Sequence, residues 1–598
     1  MSIYTDTASW FEKIGYHYGR CLFPIGRIHY VQGKSLPPEA VNLRGELHGL
    51  FFTYTLRLDF RYKAGQMTEA GYAFSIPNAT ALLNLELIKN GKQYKSMVIA
   101  KSELSGTGRR PDDKQPSGRL FRIDELCGGM HVANIGEIKE GDSISLIYRC
   151  ATLLDMKGGL ITFAIPYRDV QEARLQIFLR LIKSFGELDI ASCTYPVTIH
   201  KGSGDMAVTL KTPKLTGCDF ILDLGPARLC GVLRSSTTDL HVAVASYTPL
   251  ADNKRKFPMF LKILVDCSGS MRDVATEYLK KGLLQLADHL HPEDHLAFSK
   301  FGGHVWHLWR TPRPCQPRFL REFTEAVDEI QADMGGTNLE DALLSTFSRV
   351  TRTEQVDLAP MLLLITDGQV GDIDRVIRAA NKSGHAIFVI GVGEYPHILL
   401  LREISARTGG NCEIAQSDED IPDAILRMFR SMSHTIGWDV YMKWPGQPLW
   451  TVNASPYLAT DRTIHCLAMY PKMRALLEEE RPMLLYRDQD GEHKISFDDS
   501  TEIPSDELAR YACLRLVECR PSHMPDLAMA CNLLTKETLM VLVDNDIAYP
   551  ATGEARDEIE NARIWNERLF LSQSDILYSR SLSHASWLER QQNARKRP

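Results

Sequence analysis

Two hydrophobic patterns divide this chain of 598 residues. The first is strict alternation. From Phe52 onward, Tyr54, Leu56, Leu58, Phe60 and Tyr62 point one way, and Thr53, Thr55, Arg57, Asp59 and Arg61 the other. Period two predicts a strand with one buried face. Strands are also expected over 69–77, 82–88, 130–135 and 142–150, with an Asn90-Gly91 turn after the second of these. Residues 105–118, rich in Gly, Ser, Pro, Lys and Arg, read as a loop. Further strands over 175–182, 206–210, 219–224 and 240–246, with Gly, Pro, Ser and Thr between them, predict a β-sandwich.

The second pattern begins at Phe260. Phe260 to Val265 is an apolar run broken only by Lys262, with the length of a buried strand. Tyr278, Leu279, Leu283, Leu286, Ala287 and Leu290 then recur at helical spacing. Strands over 295–301, 304–309, 361–366, 385–392 and 412–415 are interleaved with helices over 320–330, 339–350, 373–383, 398–408 and 421–431. This alternation implies a mostly parallel sheet covered on both faces. Strand patterns return at 437–443, 463–469, 483–486 and 493–497. Two helices follow from Ser505 and Asp526, and the stretch Leu533 to Asp544 runs into a last strand. Residues 551–598 read as polar helices with a basic end at Arg595, Lys596 and Arg597, and as a solvated tail. The first 40 residues carry Trp10, Phe11, Tyr16, Tyr18, Phe23 and Tyr30, expected to pack on the body of the protein.

Candidate chemistry gathers where buried strands end. After Val265 the chain reads Asp266-Cys-Ser268-Gly-Ser270, which sets one carboxylate and two hydroxyls at alternate positions on a turn. Met334-Gly-Gly-Thr337-Asn338 precedes a helix, and the strand from Met361 ends at Thr366-Asp367-Gly368. In an open α/β sheet, ligands bind at the carboxyl ends of strands. Hard oxygen donors favour magnesium, with calcium or manganese as alternatives, over zinc. The competing reading makes Asp266, Ser268 and Ser270 helix caps, but capping does not require the other two stretches. Cys267, between the ligands, is expected to point into the core.

Composition narrows the class. Lys plus Arg number 69 against 75 Asp plus Glu, a net charge of -6, which gives no basic excess for nucleic acid. Thirteen cysteines without a Cys-x-x-Cys pair suggest reduced thiols and a cytoplasmic protein. No signal peptide and no apolar run of membrane-spanning length is expected. Gly391-Val-Gly393 lacks the third glycine of a dinucleotide fingerprint. His289, His291 and His295 have a spacing that could hold a metal, but surface or packing roles are favoured. Trp306 and Trp309 read as core or interface. No nucleophile elbow or Walker phosphate loop is present.

The order Asp-x-Ser-x-Ser, Gly-Gly-Thr, Thr-Asp-Gly resembles the von Willebrand factor A domain and its metal-ion-dependent adhesion site. Residues 69–77, the stretch Val132-Ala-Asn-Ile-Gly-Glu-Ile-Lys-Glu-Gly-Asp142, the strand to Cys150 and Phe163-Ala-Ile-Pro166 resemble the vault/inter-α-trypsin inhibitor (VIT) domain. Together they are similar to inter-α-trypsin inhibitor heavy chains and their intracellular relatives. The resemblance implies an α+β multidomain fold, with a doubly wound parallel-sheet A domain inserted among β-sandwich domains and a helical C-terminal region. The boundaries expected are an N-terminal segment over 1–40, a VIT-like domain over 41–170, and one β-sandwich from 171–256 and 432–503. The A domain takes 257–431, a helical segment with a strand 504–550, and the tail 551–598.

It further implies that Ser268 and Ser270 bind Mg²⁺ directly, that Asp266 and Asp367 do so directly or through water, and that Thr337 changes role with conformational state. The open position would take an Asp or Glu of a protein partner. The function implied is a non-enzymatic interaction module. An accessory subunit of an AAA-type ATPase machine is the alternative, and a metal-assisted hydrolase comes third because no His or Glu adjoins the ligands. The heavy chains' Asp-Pro-His processing site has no counterpart, since the chain contains no Asp-Pro pair. The sequence leaves the oligomeric state open.

Overall fold

The computed structural model describes residues from 23 to 544, less internal stretches of which the longer are 102–119, 183–188, 250–257, 349–359, 368–374, 393–400 and 472–480. The expectations for residues 1–22, the 105–118 loop, most of the helices over 373–383 and 398–408, and the 551–598 tail lie outside the described residues. The described chain is mostly sheet, with few helices.

The N-terminal body is built on the alternating pattern. Phe51–Arg61 buries every second side chain, and lies antiparallel between Ala40–His48 and Ser143–Leu153. Thr80–Lys89 and Lys92–Ala100 form the hairpin expected from Asn90-Gly91, whose φ values of 51° and 83° suit that pair. These strands belong to one sheet of fourteen. Its composition crosses the sequence. Thr538–Asp544 lies between Lys92–Ala100 and Leu120–Cys127, with Leu539, Met540, Val541 and Leu542 buried. The helix Glu507–Cys519 covers the same core through Leu508, Tyr511, Ala512 and Leu516. Arg510 ties that helix down by donating to the carbonyls of Cys531 (2.9 Å), Asn532 and Leu83.

The strands between 171 and 256 divide between bodies. Arg174–Ile182 lies parallel to Ala40–His48 and carries Asp205–Leu210 with it, because Leu175, Ile177, Leu179 and Leu181 bury into the N-terminal core. Cys230–Ser236 and Leu240–Tyr247 instead pair with Ser500–Glu502 and Ile464–Pro471. That sheet packs on a four-stranded one, centred on Thr435–Lys443 and Met483–Asp488, through Ala243, Ala245, Met442, Trp444, Cys466 and Leu484.

The third body is the expected α/β layer. Phe260–Asp266 and Pro360–Thr366 are buried at every residue. They lie parallel at the centre, flanked by His295–Phe301 on one side and by Ala386–Gly391 and Cys412–Ile414 on the other. Val305–His307 and Arg313–Pro314 add antiparallel pairings to His295–Phe301. Val274–Ala287, Pro317–Asp328 and Ile421–Ser433 share one core cluster, and Leu339–Ser348 belongs to the cluster on the opposite face.

Ile421–Ser433 passes through His434 directly into Thr435–Lys443. Trp438 and Tyr457 of the sandwich complete the α/β core, and the Tyr457 hydroxyl donates to the carbonyls of Pro360 (3.2 Å) and Gly384.

Candidate metal centre

Phe260–Asp266 is apolar, and apart from Lys262 its first charge falls at its carboxyl end. Asp266 is nearly fully buried, and both its oxygens are used. Oδ1 accepts from the Ser268 amide (2.9 Å), and Oδ2 from the Thr366 hydroxyl (2.6 Å). Burial pushes its carboxyl up to about 6, and the negative charge of Asp367 adds to the rise. The hydrogen bonds from Ser268 and Thr366 oppose it. Ser268 is buried beside it. Ser270 lies on the short 3-10 turn Gly269–Met271, and its side chain falls outside the described residues.

Backbone hydrogen bonds stitch the other loops to this turn. The Gly269 amide donates to the Gly335 carbonyl (2.8 Å), and the Met334 amide to that of Cys267 (3.0 Å). The Gly303 amide reaches Met334 O (2.7 Å), and the Asn338 amide reaches Gly302 O (2.9 Å). Three loops therefore share one small network, with Thr337, half-buried, between the tied residues Gly335 and Asn338. A Cβ on Gly302 would sit 2.6 Å from Met334 O, so only glycine permits this approach. Asn338 accepts from the Asp341 amide and starts the helix Leu339–Ser348.

Asp367 completes the set of oxygen donors. It follows Pro360–Thr366, is half-buried, and its Oδ1 is buried without a hydrogen-bond partner. Among the described residues, neither Asp266 nor Asp367 meets a Lys or Arg within ion-pair distance. A buried, unpartnered carboxylate oxygen beside a second carboxylate costs free energy unless a cation joins them. The donor set, carboxylates and hydroxyls, fits a hard divalent ion.

Residues 261–425 match the family profile of the von Willebrand factor type A domain. This part of the chain is a von Willebrand factor type A domain. The chain is similar to bovine inter-alpha-trypsin inhibitor heavy chain H4, 22% identical over 34% of this chain and 24% of the relative. It is also similar to mouse inter alpha-trypsin inhibitor, heavy chain 4, 22% identical over 64% of this chain and 44% of the relative. It thus spans less than half the length of either. A von Willebrand factor type A structure from Catenulispora acidiphila aligns at 16% identity with a TM-score of 0.38, over 48% of this chain and 78% of that one.

The remaining sequence candidates have other work. Cys267 is buried in the A-domain core, and burial pushes its thiol up to about 12. The His289 ring lies against Phe429 and pairs with the Gln285 carbonyl, and His295 stacks on Phe260. The His291 amide donates to Asp294. Trp309 packs on Phe319 and donates to Glu322 (3.0 Å), whereas Trp306 is 38% exposed. Sequence reasoning assigned no role to the Thr366 hydroxyl, although it stands next to Asp367 in the motif.

Proposed function

We propose that this chain is a non-enzymatic protein-interaction module that binds a partner's Asp or Glu through a divalent ion held by its A domain. Asp266, Ser268, Ser270, Thr337 and Asp367 would hold Mg²⁺, with Ca²⁺ or Mn²⁺ as the other hard ions the donor set admits. When bound, the ion would supply an electrophilic position for an outside carboxylate. Thr366 and the Ser268 amide keep Asp266 oriented toward the site. The ties among Gly269, Gly335, Met334 and Gly302 hold the three loops in register.

The observation that carries the reading is the buried Oδ1 of Asp367, unpartnered beside Asp266. His307 bridges Ser299 (2.7 Å) and Ser345 (3.0 Å). The same reading takes residues 41–170 as VIT-like and the chain as cytoplasmic. The ten cysteines whose side chains are among the described residues are free. No helix among the described residues is long and apolar enough to cross a membrane.

The test is calorimetric titration of Mg²⁺ into metal-stripped full-length protein, paired with crosslinking capture with and without Mg²⁺. Wild type should bind the ion, and Asp266→Ala should fold alike by circular dichroism yet neither bind it nor capture a partner. Equal heats and equal capture by Asp266→Ala would refute the reading.

A further inference from the structure

The helix Glu507–Cys519 and the short helix Pro525–Ala530 meet over the N-terminal core. The short helix ends in a fixed geometry. The Asn532 amide donates to the Met529 carbonyl (2.9 Å) and the Leu533 amide to that of Ala528 (2.8 Å), around Asn532 at a φ of 51°. This pair of bonds is a Schellman stop, and it seats Cys531 as the last residue before the left-handed turn. Arg510 clamps the same place from the longer helix. Its Nε donates to the Cys531 carbonyl (2.9 Å), and a terminal nitrogen to that of Asn532 (3.3 Å). Cys513 stands one turn after Arg510, on the same face of the helix. Its thiol is hydrogen-bonded to that of Cys531.

Both cysteines are free, and they are not equivalent. Cys513 is 1% exposed, whereas Cys531 is half-buried and in reach of solvent. The hydrogen bond received from Cys513 lowers the pKa of the Cys531 thiol, and the Arg510 guanidinium adds to that, against burial and the Asp506 charge. The same hydrogen bond, given, raises the Cys513 thiol, and burial raises it further. A thiolate, not a thiol, is the nucleophile toward an oxidant. Cys531 is therefore the attacking sulfur, and Cys513 the protonated one behind it. A cysteine that only fills space needs no second thiol. Here a backbone stop and a guanidinium clamp hold two sulfurs together.

We propose that Cys513 and Cys531 form a reversible dithiol–disulfide site whose substrate is a small hydroperoxide. The Cys531 thiolate attacks one peroxide oxygen and the O–O bond breaks. The other oxygen leaves as alcohol, or as water from hydrogen peroxide, with the proton that Cys531 gave up. Cys531 is then a sulfenic acid. The Cys513 sulfur attacks the Cys531 sulfur, the S–S bond forms as the S–O bond breaks, and hydroxide leaves as water with the Cys513 proton. The pair loses two electrons and the peroxide gains two. A thiol reductant reverses the bridge by exchange. The sulfurs start in contact, so closure is a local movement. The bridge ties Glu507–Cys519 to the segment that leads into Thr538–Asp544, the strand seated between Lys92–Ala100 and Leu120–Cys127. Oxidation thus fastens the C-terminal part of the chain to the N-terminal sheet. The inference makes no use of the ion site.

The test is tryptic mapping of full-length protein that has been reduced, freed of reductant, treated with hydrogen peroxide in slight excess and alkylated in denaturant. Wild type should yield the peptide Tyr511–Arg515 joined to the one carrying Cys531, and dithiothreitol should release it. Cys513→Ser should instead hold a sulfenic acid at Cys531, trapped by dimedone, and Cys531→Ser should give neither product. Cys519→Ser, which removes the other cysteine of that helix, should still form the bridge. In oxidised wild type, hydrogen exchange over Thr538–Asp544 should slow by about tenfold or more. The wild-type map requires no substitution, so a variant that fails to fold does not decide the answer. Both thiols alkylated after peroxide, or Cys531 bridged to Cys519 in preference to Cys513, overturns the site. Unchanged exchange in bridged protein overturns the fastening.

Discussion

Replacing Lys262 by methionine should stabilise the A domain at neutral and mildly acidic pH. Lys262 sits inside the central strand, only 2% exposed, and its amine donates to the Thr346 carbonyl near the end of Leu339–Ser348. Burial alone lowers its pKa from 10.5 to about 7. At ~1.4 kcal/mol per pH unit, the charged amine is about 4–5 kcal/mol less favourable in the folded protein than in water. Methionine fills a similar volume without the charge, but it leaves the Thr346 carbonyl without that donor, a loss of about 1–3 kcal/mol. The net gain expected at pH 6 is about 2–3 kcal/mol.

The pH dependence has a definite sign. The folded value lies below the unfolded one, so between about 7 and 10.5 the unfolded chain holds more protons than the folded one. Wild-type stability should therefore climb across that window, and the advantage of Lys262→Met should shrink and vanish toward pH 10. A local readout is needed in a multidomain chain. Cys267, buried at the end of the same strand, serves as a labelling site during urea unfolding at pH 6, 8 and 10. Its labelling midpoint should be higher in Lys262→Met at pH 6 and fall to or below that of wild type at pH 10. A variant less stable than wild type at pH 6, or two midpoints moving in parallel with pH, would refute the reasoning.

Four further outcomes follow from particular contacts. Burial is the main cause of the rise at Asp266, and Asp367→Asn removes the charge that adds to it, so the metal-stripped variant should melt slightly higher than wild type, by up to about 1 kcal/mol, and should lose the upward shift expected for wild type in Mg²⁺. Gly302→Ala forces a Cβ against Met334, and should cost about 1–3 kcal/mol by urea titration while weakening Mg²⁺ binding measured by calorimetry. Tyr457→Phe strips a donor from the Pro360 and Gly384 carbonyls, and should lower A-domain stability by about 1–2 kcal/mol in the Cys267 labelling assay. Leu542→Ala, fully buried between two strands from the other end of the chain, should cost about 2–5 kcal/mol, seen as earlier hydrogen exchange in Lys92–Ala100 and Leu120–Cys127.

What the sequence reveals here is local. The alternation from Tyr54 to Tyr62, the Asn90-Gly91 turn and the buried run at Phe260 each carry their geometry in a few adjacent residues, and Phe51–Arg61, the 89–92 hairpin and Phe260–Asp266 form there. Partner choice leaves no such mark. The stretch Leu533 to Asp544 announces a strand, but nothing in it names Lys92–Ala100, more than 400 residues earlier, as its neighbour. Arg174–Ile182 alternates just as a sandwich strand does, and only pairing assigns it to the N-terminal sheet. Within the site, Asp266, Thr337 and Asp367 were legible as strand-end and loop residues. The hydroxyl of Thr366 was not, because it acts across strands rather than along one.

One arrangement bears on the proposed cation site of the A domain. Lys262 and Asp266 lie on the same face of one strand, since they are two alternations apart. An ammonium on the carboxylate's own strand is an obvious counter-ion. Yet four residues of strand separate their backbones by about 13 Å, a lysine side chain spans roughly half of that, and the amine is held by Thr346 at the far end of Leu339–Ser348. Only burial acts on Lys262, with no contribution from a carboxylate, and no cation is among the causes of the rise at Asp266. The strand thus buries one charge of each sign and keeps them from compensating each other. The positive one is satisfied by a carbonyl, while Asp266 and Asp367 share a small loop-bound space with one oxygen still unpartnered. On the proposed function, a divalent ion would neutralise both carboxylates at once, and a partner's acid would fill a vacancy in its coordination.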